Sequence, residues 1–183
     1  MPIDSNLKLR KIAREIENCT TCQKDSIGKA VPGEGNPDAK IMFVGEAPGK
    51  TEAATGRPFV GRSGKFLRET LFANNIKPEN VFITSPVKYL PKRGTPSSDQ
   101  IQHGKVHFDK QVEIINPKII VLMGSVAVQA VLNEKMPILK VHGSIIERNG
   151  KHYLIALHPA AAIRFVKYRK LFQQDIEKIR DII

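Results

Sequence analysis

The sequence predicts an α/β fold in three layers: a central, mostly parallel four-stranded sheet flanked by helices. Three observations predict it. Short, largely apolar runs occur at 41–44, 81–84, 118–122 and 151–157; each is too short for a helix and reads as a strand, those at 41–44 and 118–122 as buried ones. Segments with apolar residues at helical spacing lie between them, the alternation that builds parallel sheets. The four runs end on Gly45-Glu46, Ser85-Pro86, Gly124-Ser125 and His158-Pro159. Parallel strands bring all four pairs to one edge, where ligands bind in open α/β sheets.

The first helix is expected over 7–18, with Leu9, Ile12 and Ile16 on one face and Asp4 or Ser5 as its cap. Residues 23–39, punctuated by Gly28, Pro32, Gly33, Gly35 and Pro37, read as irregular. After the strand at 41–44 a Gly/Pro-rich loop leads through Phe59 into a helix over 65–74. Pro78 precedes the second strand, and 88–98 reads as a polar loop. Ser98 caps a helix that Asn116-Pro117 ends, since the residue before proline disfavours helix. The third strand hands over at Gly124-Ser125 to a short helix over 126–132. Residues 145–148 and 151–157 read as a hairpin across Asn149-Gly150, a two-residue turn signal. A basic amphipathic helix is expected from about 163 to 183.

The 183 residues suit one domain with a full core, residues 1–183, with no internal repeat or dividing linker. Lys+Arg total 29 against 18 Asp+Glu, a net charge of +11, and such an excess points to a polyanionic partner. No apolar run is long enough to span a membrane. The charged N-terminal stretch lacks the apolar core of a secretory signal. Two cysteines make no disulfide framework, so a cytoplasmic, intracellular chain is expected.

The stretch 40–65 organises the functional reading. A strand that stops at Gly45 and crosses so long a Gly/Pro-rich loop is uncommon unless the loop binds something. His158 follows the last strand at the same predicted edge, and Pro159 and three alanines after it let the chain approach a ligand closely. The basic run Arg164, Lys167, Arg169 and Lys170 comes next and reads as a phosphate-contacting surface beside the pocket.

Together GEAPG at 45–49, GRPFVGRSG at 56–64, the strand and Val87-Lys88 at 81–88, and HPA at 158–160 resemble the family 4 uracil-DNA glycosylases, in order and over nearly the whole chain. The resemblance implies a monofunctional hydrolase of base-excision repair. Such an enzyme flips uracil out of DNA, cleaves its N-glycosidic bond and leaves an abasic site. It implies that Phe59 stacks on the base, and that His158 donates a hydrogen bond to negative charge developing on uracil O2. Backbone groups at Gly45 and Glu46 meet the base edge, with Glu46 the acid placed to position water. Ala47 stands where a related family has a catalytic aspartate. The loop 160–164, Ala160 to Arg164, with Ile163 its bulky apolar member, enters the DNA. Arg62, Lys88, Lys92, Arg93, Arg164 and Lys167 are the expected DNA contacts. The implied partner is DNA carrying uracil, bound by a nucleoid-associated monomer.

The chain departs from the family twice. Ser85 stands where an asparagine amide reads uracil N3–H and O4, which suggests weaker discrimination, a lower rate, or another base such as hypoxanthine, xanthine or a mismatched pyrimidine. A damage-recognition DNA-binding protein with little turnover is the rival of a different class. The family also holds a [4Fe-4S] cluster on four cysteines. Cys19 and Cys22 match the first pair, whereas Tyr89 and Gly104 stand at the other two positions. His103 and His107, spaced i, i+4, supply the partners for a Cys₂His₂ zinc site. A metal-free chain is ranked first, zinc second, and a cluster shared with another chain or using non-cysteine ligands third.

Overall fold

The computed structural model describes residues 2–182; Met1 and Ile183 of the predicted domain and terminal helix lie outside the described residues. Helices α1 (Pro2–Glu17) and α2 (Thr20–Gln23) open the chain, followed by β1 (Ser26–Ile27), β2 (Glu34–Gly35) and β3 (Ile41–Val44). Next come α3 (Lys50–Thr55), α4 (Arg62–Ala73), β4 (Val81–Thr84), β5 (Leu90–Pro91) and α5 (Ser98–Ile115). Then follow β6 (Ile119–Met123), α6 (Ser125–Leu132), α7 (Ile138–Val141), β7 (Ile145–Arg148), β8 (Lys151–Ala156), α8 (Pro159–Arg164) and α9 (Val166–Glu177).

The sheet has the order β2-β4-β3-β6-β8-β7. Its four central strands are parallel, as expected, and β2 and β7 add an antiparallel strand at each edge. Every residue of β3, β4 and β6 is buried. Successive side chains point to opposite faces, so each strand feeds two cores. Ile41 and Phe43 pack with Leu67 and Leu71 of α4 and with Phe172 and Ile176 of α9. Met42 and Val44 pack with Phe108 of α5 and with Ala127, Val128 and Leu132 of α6. Burial on both faces explains why these strands read as unbroken apolar runs. The Asn149-Gly150 turn has positive φ at both residues, 52° and 70°, the backbone a two-residue hairpin of this kind needs.

Several boundaries moved. The first helix starts at Pro2, so Asp4 and Ser5 lie inside its first turn instead of capping it. The helix after β4 is capped by Ser97, not Ser98, through a full capping box with Gln100. The expected terminal helix is two helices, broken where Phe165 takes extended angles (φ −126°, ψ 114°). Helices α3 and α7 and the small β1–β5 ladder were not expected; each is six residues or shorter, too short for a periodic pattern. Among the described residues, no helix is long and apolar enough to cross a membrane.

Candidate active site

The four parallel strands deliver Gly45, Ser85, Gly124 and Leu157-His158 to one edge of the sheet. A cavity of about 200 Å³ opens there, lined by Ala47 to Gly49, Glu52, Pro58, Phe59, Ser63, Ser85, His158, Ala160 and Val31. That is smaller than the roughly 300–1,000 Å³ of drug-sized sites and suits one flat heterocycle. A larger groove of about 660 Å³ runs along Ser26 to Ala30, Thr55 and Tyr89. It is open to solvent and holds none of the residues the sequence marks as catalytic or base-binding.

His158 caps α8: its Nδ1 accepts a hydrogen bond from the Ala160 N–H at 3.1 Å. An accepting Nδ1 assigns the ring proton to Nε2. Burial pushes the His158 pKa down from the ordinary value to about 4, so the ring is neutral at physiological pH. Its Nε2 faces the space beside Gly45 and Phe59: a carbon added at Gly45 would lie 3.9 Å from Nε2 and 2.6 Å from Phe59 Cζ. A neutral N–H donor therefore looks into the cavity from one wall.

Phe59 forms another wall, its ring centroid 6.2 Å from that of His158 and tilted by 36°. Its backbone is left-handed at φ 50°, costly for a bulky side chain and sustained only where the surroundings enforce it. Three neighbours enforce it. Glu52 accepts hydrogen bonds from Val60 N (2.9 Å) and Gly61 N (2.8 Å) on one oxygen. Arg68 donates to the carbonyls of Pro58 and Phe59, each at 3.4 Å. Gly64 lies so close that a Cβ there would sit 1.9 Å from Phe59 O. Sequence reading missed Glu52, whose only signal was an acid in the loop eight and nine residues before the groups it holds. Each bond to its carboxylate is worth about 1.5–3 kcal/mol. Glu52→Ala is expected to slow base release about tenfold or more through the displaced ring, while Glu52→Gln, which keeps an acceptor oxygen, recovers most of the rate; single-turnover assays on the two variants check this.

Ser85 is buried in the cavity wall and its hydroxyl donates to Val87 O at 2.7 Å. With its proton so engaged, the oxygen offers only lone pairs to a ligand. Gly45 sits against the edge of the Phe59 ring, but its N–H continues the sheet ladder to Thr84 O at 2.9 Å. That corrects its expected role, because a donor spent on the ladder is not free for a base edge. Glu46 is half-buried, and burial raises its carboxyl above the usual range. It stands one residue outside the cavity wall, which begins at Ala47.

The expected DNA contacts separate into two groups. Arg62, Arg164 and Lys167 are exposed, as is Ala160, and two of the cavity's own residues, Ser63 and Ala160, lie beside or near them in sequence. Lys92 and Arg93 are exposed on the turn after β5. Lys88 is a correction. It is 1% exposed, and its Nζ donates to Thr84 Oγ1 (2.8 Å), Gln111 Oε1 (2.8 Å) and Pro32 O (3.2 Å). The chain stays buried from Val81 through Tyr89, so what reads as the start of a polar loop is core, and burial lowers the Lys88 pKa to about 7. No phosphate reaches it; it ties β4 and α5 to the segment at Pro32. Ile163 is half-buried, whereas the break after α8 leaves Phe165 and Val166 exposed at 45% and 82%. Sequence reading placed these two inside a continuous helix and missed them.

Between α5 and the α1–α2 junction, Cys19, Cys22, His103 and His107 converge, their ligand atoms all within 4.8 Å of one another. A four-cysteine cluster does not fit these residues. The chain has two cysteines. Tyr89 fills the third position, with its hydroxyl donating to the carbonyls of Ile16 and Glu17. At the fourth, a Cβ on Gly104 would lie 2.2 Å from Pro86 O. No step of the chemistry is routed through such a cluster.

Residues 32–180 match the model of the uracil DNA glycosylase superfamily. The chain is 38% identical to a type-4 uracil-DNA glycosylase of Sulfurisphaera tokodaii, over 95% of this chain and 84% of that protein. It is 37% identical to one of Thermotoga maritima, over 94% and 93%, and 36% identical to one of Archaeoglobus fulgidus, over 95% and 92%. On the family match over most of the chain and these near-full-length likenesses, the chain belongs to the uracil DNA glycosylase superfamily, in its type-4 branch.

Proposed function

We propose that this protein is a monofunctional DNA glycosylase that hydrolyses the N-glycosidic bond of uracil in DNA and leaves an abasic site. One observation carries the reading: a neutral His158, its Nε2–H directed into a ring-sized cavity walled by Phe59. The flipped base stacks against Phe59. As the bond from the sugar to uracil N1 breaks, its electron pair leaves with the base and spreads toward O2. The His158 N–H stabilises that charge without transferring a proton, and preorganised donors of this kind usually carry the largest catalytic term. Water completes the hydrolysis at the sugar carbon, and Glu46, beside the cavity with a carboxyl raised by burial, orients it, since the acid that lines the cavity, Glu52, is held by the Val60 and Gly61 N–H groups. Among the described residues no lysine lines the cavity, which supports hydrolysis over Schiff-base chemistry.

Exposed Arg62, Arg164 and Lys167 contact phosphates, and Ile163 with Phe165 fills the gap that the flipped base leaves in the stack. The net charge of +11 supports nucleoid DNA as the partner, on which the protein acts as a monomer.

A specific observation favours a second substrate. The acceptor-only oxygen of Ser85 receives uracil N3–H but gives nothing to O4. Hypoxanthine presents the same ring N–H, so it competes better here than where an amide reads both groups. The test is excision from oligonucleotides carrying uracil, hypoxanthine or xanthine, by wild type and by Ser85→Asn. Uracil is expected to be released by wild type, and the amide to raise the uracil-to-hypoxanthine ratio by about tenfold, the worth of one further hydrogen bond. Release of purines alone would overturn the uracil reading, and tight binding without any release would overturn the enzyme.

A further inference from the structure

The cysteine–histidine group between α5 and the α1–α2 junction is independent of the glycosylase reading. Cys19 ends the turn after α1 and caps α2, and the Cys22 N–H points back to Cys19 Sγ at 3.4 Å. His103 and His107 are one turn apart on α5, their rings nearly perpendicular with centroids 5.7 Å apart. His103 Nε2 lies 3.0 Å from Cys19 Sγ. His107 is 7% exposed, and among the described residues neither of its ring nitrogens has a hydrogen-bond partner. A buried polar group left so costs about 1–3 kcal/mol, and buried polar atoms without partners call for an explanation such as an ion.

We propose that Cys19, Cys22, His103 and His107 hold one divalent transition-metal ion, zinc by ligand chemistry, as a structural Cys₂His₂ centre. Two thiolates and two imidazoles are a closed zinc set. Bond lengths of about 2.3 Å to sulfur and 2.0–2.1 Å to nitrogen put tetrahedral ligands roughly 3.3–3.8 Å apart, within the 4.8 Å span of these atoms. A two-iron cluster with cysteines on one iron and histidines on the other holds the two ligand types apart, whereas here a sulfur and a nitrogen nearly touch. The void beside the group, lined by Cys22, Lys88, His103 and Gly104, is about 10 Å³ and leaves no space for a four-iron cube. The proposed ion departs from the metal-free chain that the sequence ranks first, on the convergence of the four side chains. The ion pins the α1–α2 junction to α5. Tyr89 serves the same junction through Ile16 and Glu17, so α1 is fixed by a hydrogen-bonded side chain and an ion.

Metal content, read without any activity assay, tests the proposal. The full chain is purified without chelators and its metal and acid-labile sulfide are measured. One zinc per chain, no sulfide and no visible absorbance are expected. Replacement by cobalt(II) should give the intense visible bands of a tetrahedral sulfur–nitrogen site. Chelation should lower the melting temperature, and added zinc should restore it. His103→Ala, at a half-exposed position that tolerates truncation, should weaken cobalt binding by more than the roughly 10–100-fold typical of outer-sphere partners. His107→Ala should do the same, and a cobalt titration of Cys22→Ser covers the case in which His107→Ala does not fold. A protein that stays metal-free in excess zinc, a Cys19–Cys22 disulfide in the metal-free chain, or iron with stoichiometric sulfide would overturn the proposal. So would undiminished binding in His103→Ala.

Discussion

His158→Ala is expected to lower the single-turnover rate of uracil release by about 10²–10³-fold, the cost of removing one preorganised donor to a developing oxyanion, while substrate binding changes little. The asymmetry follows from the geometry. The ring's Nε2–H meets charge that exists only as the glycosidic bond breaks, so its loss falls on the rate and not on affinity. His158→Gln offers a partial control, since an amide keeps a donor but not the cap on Ala160 N. Rates of the two variants, with melting temperatures beside them, separate loss of the donor from loss of the helix cap.

Gly64→Ala is expected to be nearly as damaging, though the residue touches no substrate. Its new Cβ would lie 1.9 Å from Phe59 O, 2.0 Å from Phe59 C and 2.5 Å from Phe59 Cα. None of these atoms is the free end of a side chain, so the left-handed Phe59 turn must move. Overpacking of this kind costs about 1–3 kcal/mol of stability. A displacement near 1 Å at a positioning group costs about 10²-fold in rate. Excision kinetics together with a thermal melt check this: a large rate loss with a melting temperature lowered by only a few degrees is the expected pair. A rate within threefold of wild type would remove the Phe59 turn from the positioning role.

The parallel core was legible because β3, β4 and β6 are buried on both faces, and burial of that kind writes itself as an unbroken apolar run. Phe59 and His158 were legible because each sits at a strand-end loop that glycine and proline mark. Lys88 was misread because charge normally means exposure. Only the fold supplies Thr84, Gln111 and Pro32 as three acceptors around one amine. Glu52 was missed for the converse reason: an acid in a loop reads as solvated, and its partners are backbone N–H groups, which carry no sequence signature. The Phe165 break has no Gly or Pro to announce it. The cysteine and histidine pairs were visible as spacings, but their meeting depends on how α1 and α5 pack, which spacing alone does not encode.

The central claim is that a neutral His158 N–H drives release of uracil. The most direct measurement is the single-turnover rate of uracil release from DNA by the wild-type protein between pH 5 and 8. An ordinary histidine takes up its proton near pH 6.5; burial holds His158 down at about 4, so it stays neutral over this whole range and protonates only below it. The expected result is uracil release whose rate shows no inflection near pH 6.5 and is lowered about 10²–10³-fold by His158→Ala across the range. Absence of uracil release at every pH, or a rate that falls with an apparent pKa near 6.5 lost in His158→Ala, would contradict the claim.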